Sequence, residues 1–269
     1  MRSGDAYAKA RADGRAALVG YLPAGFPSYD GCVAALTAMV QAGVDIVEIG
    51  LPYSDPVLDG PTIQAAADLS LRNGTRVHDV LRTVEAVAAT GAAVLVMTYW
   101  NPVLQYGADR FARDLAVAGG CGLITPDLIP EEGGDWIAAA EANDLERVFL
   151  VAPSSSPARI ESTVAACRGW VYAASTMGVT GAREHTSSVA PGLVERVRAA
   201  TSLPVGVGLG VSSGSQAAEV ASYADGVIVG SAFVRPLLDA SDETAGIATV
   251  AQLATELADG ARRATNLGP

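Results

Sequence analysis

The sequence predicts an α/β fold: a single (βα)8 TIM barrel domain over residues 1–269, with an extra helix at its N-terminus. Eight short apolar segments alternate with segments of helical periodicity, which is typical of a parallel sheet whose strands are joined by helices. No shift in composition marks a linker between domains. The competing fold, an open doubly wound sheet, usually has fewer strands and a glycine-rich fingerprint after the first strand, where this chain has only Gly25. Eight repeating units therefore favour the closed barrel.

The predicted strands are short runs of β-branched and small apolar residues, each ended by glycine, proline or a polar residue. The second of them is a nearly continuous β-branched run, as expected for a parallel strand that is covered on both faces. In chain order they cover residues 17–21, 44–49, 93–97, 122–125, 147–151, 170–174, 204–207 and 226–229.

The predicted helices repeat apolar residues at three and four positions and are bounded by capping signals. Ser28 is an N-cap candidate for the first crossover helix, and Gly74 is a stop signal for the second. An Ala-rich polar segment at 5–13 predicts the extra helix, laid outside the first strand. The other helices cover 28–42, 62–74, 78–90, 108–118, 131–143, 157–167, 189–200, 213–222 and 243–263, with a short turn from Ser231.

The second strand and the loop after it carry the residues that point to chemistry. Side chains alternate across a strand, so Ile46, Glu48 and Gly50 share one face. Glu48 has no basic residue within eight positions, and the loop that follows carries Asp55 and Asp59. Carboxylates at a barrel strand end and in the next loop predict acid–base chemistry. The alternative is a salt bridge for Glu48 and solvated turn positions for the aspartates.

Composition and charge limit which partners and which cellular compartment the chain can have. The net charge is −11 and the 18 Lys and Arg residues form no cluster, which argues against a nucleic-acid backbone as the partner. We find no run of about 18 apolar residues and no secretory signal, so we expect a cytoplasmic protein. Cys32, Cys121 and Cys167 form no C-x-x-C pair, and we expect them to fill core space in a reducing compartment.

Two glycine-rich strand ends near the C-terminus, 206–210 and 226–231, predict a phosphate site. In a barrel they are the loops after strands seven and eight, where phosphate groups usually bind. Glycine lets backbone N–H groups approach an anion, and the helix start at Ser231 adds partial positive charge. The alternative is that tight barrel turns simply require glycine. A dinucleotide fingerprint is the weaker interpretation, because a lone G-x-G comes in the wrong place.

The segment 175–188 is long, polar and hinged by glycine, which predicts a lid or binding loop. His185 within it is expected to be solvated rather than catalytic, and His78 lies at a helix start. Since the two histidines are not clustered, we predict no metal site.

Several motifs together resemble the tryptophan synthase α subunit family, in unbroken order from about Tyr21 to Val234. They are Gly50-Leu-Pro-Tyr-Ser-Asp-Pro, Asp59-Gly-Pro-Thr-Ile-Gln, Met97-Thr-Tyr-Trp-Asn-Pro, Gly178-Val-Thr-Gly and Ala224-Asp-Gly-Val-Ile-Val-Gly-Ser. The resemblance implies a (βα)8 barrel and a lyase of tryptophan biosynthesis. Its reaction would be the retro-aldol-type cleavage of indole-3-glycerol phosphate to indole and glyceraldehyde 3-phosphate. It also implies a β subunit as partner in an α2β2 heterotetramer, with pyridoxal phosphate in that partner and no cofactor in this chain.

The resemblance implies site residues by position. Glu48 matches the general acid/base and Asp59 the second catalytic carboxylate. Tyr172 matches a tyrosine near the reacting centre, and Thr180 a loop threonine that closes over Asp59. The indole pocket would be lined by Tyr21, Ile63, Met97, Tyr99, Ile124 and Leu209. Phosphate would be bound by Gly181, Gly210, Gly230 and Ser231, and the partner would face Pro52, Asp55 and Asn101.

The residue chemistry agrees with this assignment. Cleavage requires the indole C3 atom to accept a proton and a glycerol hydroxyl to lose one. A carboxyl inside an apolar barrel has a raised pKa and can do both in turn, as we expect for Glu48. Asp59, on a wetter loop, is expected to stay ionised and to accept a hydrogen bond from the indole N–H.

Three positions depart from the family pattern: Phe26, where many members have aspartate, Pro130, which comes one place late, and Leu209, which replaces an aromatic residue. They concern the pocket and the subunit-facing contacts rather than the reaction. Two alternatives remain open: a free-standing lyase that releases indole into solution, and a non-catalytic barrel retained as an activator or binding partner of another protein.

Overall fold

The chain forms a closed parallel barrel in a computed structural model that describes residues 1–174, 189–208 and 210–263. Within these ranges, nine strand segments form one parallel sheet. They are β1 (Ala17–Pro23), β2 (Ile46–Gly50), β3 (Ala93–Met97), β4 (Gly122–Ile124), β5 (Glu146–Val148), β6 (Leu150–Val151), β7 (Val171–Ala174), β8 (Val205–Gly208) and β9 (Gly226–Val229).

The nine segments make eight barrel strands, because β5 and β6 are two parts of one strand. The order of neighbours is β5-β4-β3-β2-β1-β9-β8-β7-β6, so the sheet returns to the strand from which it started. Only Phe149 separates the two parts, and its carbonyl accepts a hydrogen bond from the Tyr172 N–H at 3.3 Å. The (βα)8 prediction is therefore confirmed, and the open sheet is excluded.

Twelve helices are found in the described ranges, and none of them is long and apolar enough to cross a membrane. Where a helix was predicted, each end agrees within about three residues. The helices are α1 (Ser3–Ala12), α2 (Tyr29–Gln41), α3 (Pro61–Arg72), α4 (Val77–Ala88), α5 (Trp100–Tyr106), α6 (Ala108–Val117), α7 (Gly134–Ala142), α8 (Pro157–Ala166), α9 (Ala190–Arg198), α10 (Gly214–Ala221), α11 (Ser231–Asp239) and α12 (Glu243–Arg263).

The sequence does not predict two of these helices. α5 begins directly after Tyr99, at a segment interpreted as the end of the third strand. Pro102 lies in the first turn of α5, where the missing N–H removes no helical hydrogen bond. α11 begins at Ser231, where only a short turn was predicted, and it continues through Pro236. The expected alternation of one strand with one helix is therefore too simple at these two crossovers.

Helix ends follow the local signals. The Ser28 side chain accepts a hydrogen bond from the Gly31 N–H at 2.9 Å, as its predicted role of N-cap requires. Gly74 follows α3 with a φ of +88°, a conformation that favours glycine. The predicted start of the helix at 131–143 is three residues early, because turns closed on the carbonyls of Ile129 and Pro130 precede α7.

The alternation of side chains along the strands sorts the core into two clusters. Ile46 packs inside the barrel with residues such as Leu95 and Ile124. Val47 and Ile49 point the other way, into the larger cluster between the strands and the helices. The period of two therefore places every second side chain of β2 inside the barrel, as predicted.

α1 covers the N-terminal end of the barrel, so the prediction that it lies outside the first strand is wrong. Its Tyr7 side chain belongs to the cluster inside the barrel. The buried Glu146 carboxylate, at the start of β5, accepts hydrogen bonds from the Ser3 N–H at 3.2 Å and the Gly4 N–H at 3.1 Å. These donors belong to the first turn of α1, which has no helical acceptors for them, so Glu146 caps the helix from within the barrel.

Candidate active site

Glu48 lies in the middle of β2 with its side chain inside the barrel. Only 1% of the residue is exposed, and its Oε1 atom has no hydrogen-bond partner in the described ranges. No basic side chain pairs with Glu48 within those ranges, so the salt-bridge alternative is wrong. Burial raises the pKa of Glu48 from 4.5 to about 8. The carboxyl is therefore mostly protonated at neutral pH and can give up a proton and take one back.

Asp59 is held between two loops at the mouth of the barrel. The Tyr99 hydroxyl donates a hydrogen bond to Asp59 Oδ1 at 2.9 Å and accepts one from the Leu58 N–H at 3.0 Å. Asp59 is half-buried, and Tyr99, just before α5, is 5% exposed. Burial raises the pKa of Asp59, and the hydrogen bond from Tyr99 opposes that rise. Tyr99 therefore fixes the carboxylate and favours its ionised form.

Two tyrosines share the barrel interior with Glu48, and each occupies the space beside a glycine. An ideal Cβ atom on Gly50 would lie 2.2 Å from the Tyr21 hydroxyl oxygen. The corresponding atom on Gly208 would lie 2.6 Å from the Tyr172 hydroxyl oxygen. After burial, nearby carboxylate charge that includes Glu48 raises the pKa of both tyrosines. Larger residues at the two glycine positions would displace these rings, so the glycines shape the cavity around Glu48.

The other residues expected in the indole pocket divide between the two core clusters. Met97, at the end of β3, and Ile124 of β4 belong to the interior of the barrel. Ile63 of α3 is buried in the outer cluster. Three residues with expected roles lie outside the described ranges, namely Thr180, Gly181 and Leu209.

The expected phosphate end lies at the start of α11. Gly230 is the N-cap of this helix and Ser231 its first residue, while Gly210 has a φ of +70° that favours glycine. A cavity of about 360 Å³ opens beside Ser231 and is also lined by Arg235, one turn further along α11. The Arg235 Nη2 group donates a hydrogen bond to Thr62 Oγ1 at 3.0 Å. A cation therefore borders the cavity where the sequence predicts an anion.

The loops after β2, β3 and β4 form one surface at the same end of the barrel. The Asn101 Nδ2 group donates a hydrogen bond to the Tyr53 hydroxyl at 3.2 Å, which joins the first two loops. The Trp100 N–H donates to the Asp127 carboxylate at 2.9 Å, which joins the second and third. Each of the three segments exposes a large apolar side chain, namely Val57, Leu104 and Ile129. Of the residues expected to face a partner, Asp55 and Asn101 are exposed and Pro52 is buried.

Sequence reasoning missed two polar contacts at this mouth. The bond between Tyr99 and Asp59 joins residues 40 positions apart, and no local pattern signals it. Arg235 could have been found, because it follows Ser231 by four residues and so lies on the same face of a helix.

The described residues contain no group of His, Cys, Asp and Glu side chains that could hold a metal ion. His78 is exposed on α4, and His185 lies outside the described ranges. The three cysteines are buried and unpaired, as predicted for residues that fill core space.

A closed parallel barrel with a buried carboxyl of raised pKa in its interior is typical of (βα)8-barrel enzymes. The family model described as tryptophan synthase alpha chain matches residues 7–262. The chain belongs to this family.

Relatives and solved structures agree with the family model. The tryptophan synthase alpha chain of Salinispora tropica is 62% identical over 261 residues, which cover 97% of this chain and 98% of the relative. That of Acidothermus cellulolyticus is 63% identical over 260 residues, or 97% of each chain. A chain in a structure of Mycobacterium tuberculosis tryptophan synthase is 58% identical, with a TM-score of 0.91 over 97% of this chain and 98% of that one.

Proposed function

We propose that this chain cleaves indole-3-glycerol phosphate to indole and glyceraldehyde 3-phosphate, with Glu48 as general acid and base and Asp59 as the second catalytic carboxylate. The cleavage is the carbon–carbon lyase reaction of its family, in tryptophan biosynthesis. One observation carries the assignment of Glu48: its carboxyl is buried in the barrel interior, where burial raises its pKa to about 8, and its Oε1 atom has no hydrogen-bond partner in the described ranges.

Glu48 moves one proton twice in this proposal. As an acid it protonates C3 of the indole ring, which leaves a Glu48 carboxylate and a positive charge at the ring nitrogen. As a base it then takes the proton of the glycerol hydroxyl next to the breaking bond. The hydroxyl carbon becomes the aldehyde carbon, and the electrons of the C–C bond return to the ring and neutralise its charge. Glu48 ends protonated, so the step needs no redox partner and no cofactor from this chain.

Asp59 stabilises the positive charge at the ring nitrogen by accepting the hydrogen bond of the indole N–H. The bond from Tyr99 supports this role, because it holds the carboxylate in place and opposes the rise of its pKa. Thr180 closes over Asp59 in the same proposal and excludes water from the reaction.

The substrate lies across the mouth of the barrel. Tyr21, Tyr172, Met97 and Ile124 supply apolar and aromatic surface for the indole ring, together with Ile63, Tyr99 and Leu209. In this proposal the phosphate binds at the start of α11, to Gly210, Gly230 and Ser231, and Gly181 is a further phosphate-binding residue. The N–H groups of the first turn of α11 and the Arg235 cation at the same cavity support an anion there.

The test is an assay of indole release by parent and variants. Glu48→Gln keeps the shape of the side chain but cannot cycle a proton, so we expect kcat to fall by about two to four orders of magnitude. Asp59→Asn should still bind indole-3-glycerol phosphate but lose a large part of kcat. Glu85→Gln, at an exposed position on α4, is the matched control and should match the parent. Cleavage by the Glu48→Gln protein at the parental rate would refute the proposal.

The partner is a β subunit that binds the surface formed by the loops after β2, β3 and β4. The expected contacts Pro52, Asp55 and Asn101 lie in these loops, beside the exposed Val57, Leu104 and Ile129. The proposed assembly contains two α and two β chains and lies in the cytoplasm. Pyridoxal phosphate is bound by the β subunit, and this chain contributes one barrel domain over residues 1–269. Turnover that rises on addition of the β subunit supports the partner. Equal turnover with and without it favours a free-standing lyase, and binding without cleavage favours a non-catalytic barrel.

A further inference from the structure

Tyr21 and Glu48 are direct neighbours in the barrel wall. β1 and β2 pair in parallel with Tyr21 opposite Glu48, so the two side chains enter the interior at the same level. Gly50 is the next inward-facing position of β2, about 7 Å further toward the mouth. The Tyr21 ring leans in that direction, because an ideal Cβ atom on Gly50 would lie 2.2 Å from its hydroxyl oxygen and 2.6 Å from its Cζ atom. The hydroxyl therefore lies against Gly50, one inward-facing position beyond Glu48 on β2.

Glu48 is ionised for part of each turnover, and the apolar interior offers its carboxylate few donors. In the described ranges, the charge of Glu48 raises the pKa of three tyrosines: Tyr7 of α1, Tyr21 of β1 and Tyr172 of β7. Its Oε1 atom has no hydrogen-bond partner in the described ranges. A carboxylate buried in this way is strongly disfavoured unless a donor turns toward it.

We propose that Tyr21 is a positioning residue for Glu48: its hydroxyl leaves Gly50 and donates a hydrogen bond to the Glu48 carboxylate in the interval between the two proton transfers. The inference rests on the proposed role of Glu48. The Tyr21 hydroxyl occupies the space that a side chain at Gly50 would fill, and rotation about the side-chain torsions of Tyr21 or Glu48 would bring the hydroxyl and the carboxylate together. The bond forms only with the charged carboxyl, so it selectively stabilises the state that is least favoured by burial.

Tyr7 offers a matched comparison inside the same barrel. Its hydroxyl is buried without a partner in the described ranges, and, like the Tyr21 hydroxyl, it occupies the space beside glycine. Ideal Cβ atoms on Gly206 and Gly226 would lie 2.6 and 2.5 Å from it. Gly226 pairs with Ala17, four residues before Tyr21 on β1, so Tyr7 lies toward the N-terminal end of the barrel. The charge of Glu48 raises the pKa of both tyrosines, but only Tyr21 lies toward the mouth of the barrel, where the substrate is proposed to bind.

The test measures the ionisation of Glu48 in the free protein by NMR of 13C-labelled glutamate carboxyl groups, with Glu48→Gln to identify the signal. Tyr21→Phe removes only the hydroxyl. We expect it to raise the pKa of Glu48 by about one unit, a tenfold change in the ionisation constant, since the lost bond favours the charged form. Tyr7→Phe should leave that pKa within about 0.2 units of the parent. Thermal unfolding of each variant checks that the fold is intact.

Steady-state kinetics give a second, independent measurement. In Tyr21→Phe, kcat should fall about tenfold with KM within about twofold of the parent, and the loss of kcat at alkaline pH should move to higher pH. An unchanged Glu48 pKa in Tyr21→Phe, an equal shift in Tyr7→Phe, or a rise in KM at constant kcat would each overturn the inference. A parent protein that does not cleave the substrate refutes the proposed function instead, and the NMR comparison then still decides the role of Tyr21.

Discussion

At the residue scale, Glu48 makes the barrel sensitive to pH. Its pKa of about 8 in the folded chain compares with an ordinary value of 4.5, and a difference of this size corresponds to about 5 kcal/mol. Because the folded value is the higher one, the protonated carboxyl contributes its full stability below about pH 4.5. That contribution is lost as the pH rises through about 8. The residue that suits the proposed chemistry therefore destabilises the barrel in alkaline solution.

We expect Glu48→Gln to remove this dependence of stability on pH, because glutamine has no proton to lose. The free energy of unfolding of the variant, relative to the parent, should grow by roughly 3 to 5 kcal/mol between pH 5 and pH 9. Urea denaturation followed by circular dichroism at the two pH values measures it. Glu85→Gln, on the exposed face of α4, should show no such growth. A constant difference between variant and parent would contradict the raised pKa.

Tyr99→Phe tests how Asp59 is held. The Tyr99 hydroxyl favours the ionised form of Asp59, so its removal should raise the pKa of this carboxyl further. Since the proposal needs Asp59 ionised, the fall in activity on acidification should begin at a higher pH in the variant than in the parent. At neutral pH, kcat should fall roughly three- to tenfold. The pH profile of indole release measures both effects. Tyr106→Phe removes a comparable bond, 2.7 Å to Asp114 on α6, and an equal shift there would show that the effect is not local.

The two carboxylates differ in how far the sequence predicts them. The period of two along β2 is enough to turn Glu48 inward, and the lack of nearby bases indicates that its charge is not compensated. The setting of Asp59 depends on Tyr99, which reaches it from another crossover. Such a contact depends on the path of a proline-rich loop in three dimensions, and no periodicity encodes that path.

At the element scale, α11 joins the proposed phosphate site to the loop that carries Asp59. Its first turn contains Ser231, and its second turn contains Arg235, which donates a hydrogen bond to Thr62 at the start of α3. The Arg235 guanidinium also lies 4.0 Å from the Asp239 carboxylate, one turn further along α11, and it lines the same cavity as Ser231. In the proposed site, the helix dipole, the backbone donors of the first turn and the Arg235 cation would therefore act on the same anion.

Arg235→Met should weaken binding of the phosphorylated product without affecting indole. We expect the inhibition constant of glyceraldehyde 3-phosphate to rise about three- to tenfold, the range expected for one partly exposed charge-assisted bond. The inhibition constant of indole should stay within about twofold of the parent. Arg82→Met, on α4, controls for the loss of one positive charge. Equal inhibition by glyceraldehyde 3-phosphate in Arg235→Met and parent would remove Arg235 from the phosphate site.

Elements with a strong local signal are the ones that the sequence predicts well. β3 and β9 match their predicted limits, and Ser28 caps α2 as expected. α5 is missed because its segment was interpreted as a strand end, and α11 because only a short turn was predicted from Ser231. Each helix contains a proline that it accommodates. The position of α1 is missed for another reason. It depends on contacts of Glu146 and Tyr7 with distant strands, which the polar composition of the segment does not reveal.

At the scale of the whole molecule, the parallel barrel brings all loops after the strands to one end. The alternation of strands and helices predicts this arrangement, and it follows that the carboxylates, the glycine turns and the partner-facing segments share that end. The sequence cannot predict which apolar side chains stay uncovered there, because exposure depends on how the loops pack against one another. Val57, Leu104 and Ile129 are found only in the structure.

Leu104→Glu tests whether this surface binds the β subunit. The residue is 52% exposed on α5, beside Asn101, and apolar side chains of this size contribute about 1.5 to 3 kcal/mol when a partner covers them. A carboxylate in their place must also be desolvated, so we expect affinity for the β subunit to fall at least about tenfold. Val117→Glu is the matched control, because Val117 is 84% exposed and is the last residue of α6, at the end of this helix that lies away from the loops after the strands. Titration calorimetry measures both affinities, and indole release by each isolated variant should equal that of the parent. If Val117→Glu weakens the complex as much as Leu104→Glu, the β subunit does not select this end of the barrel.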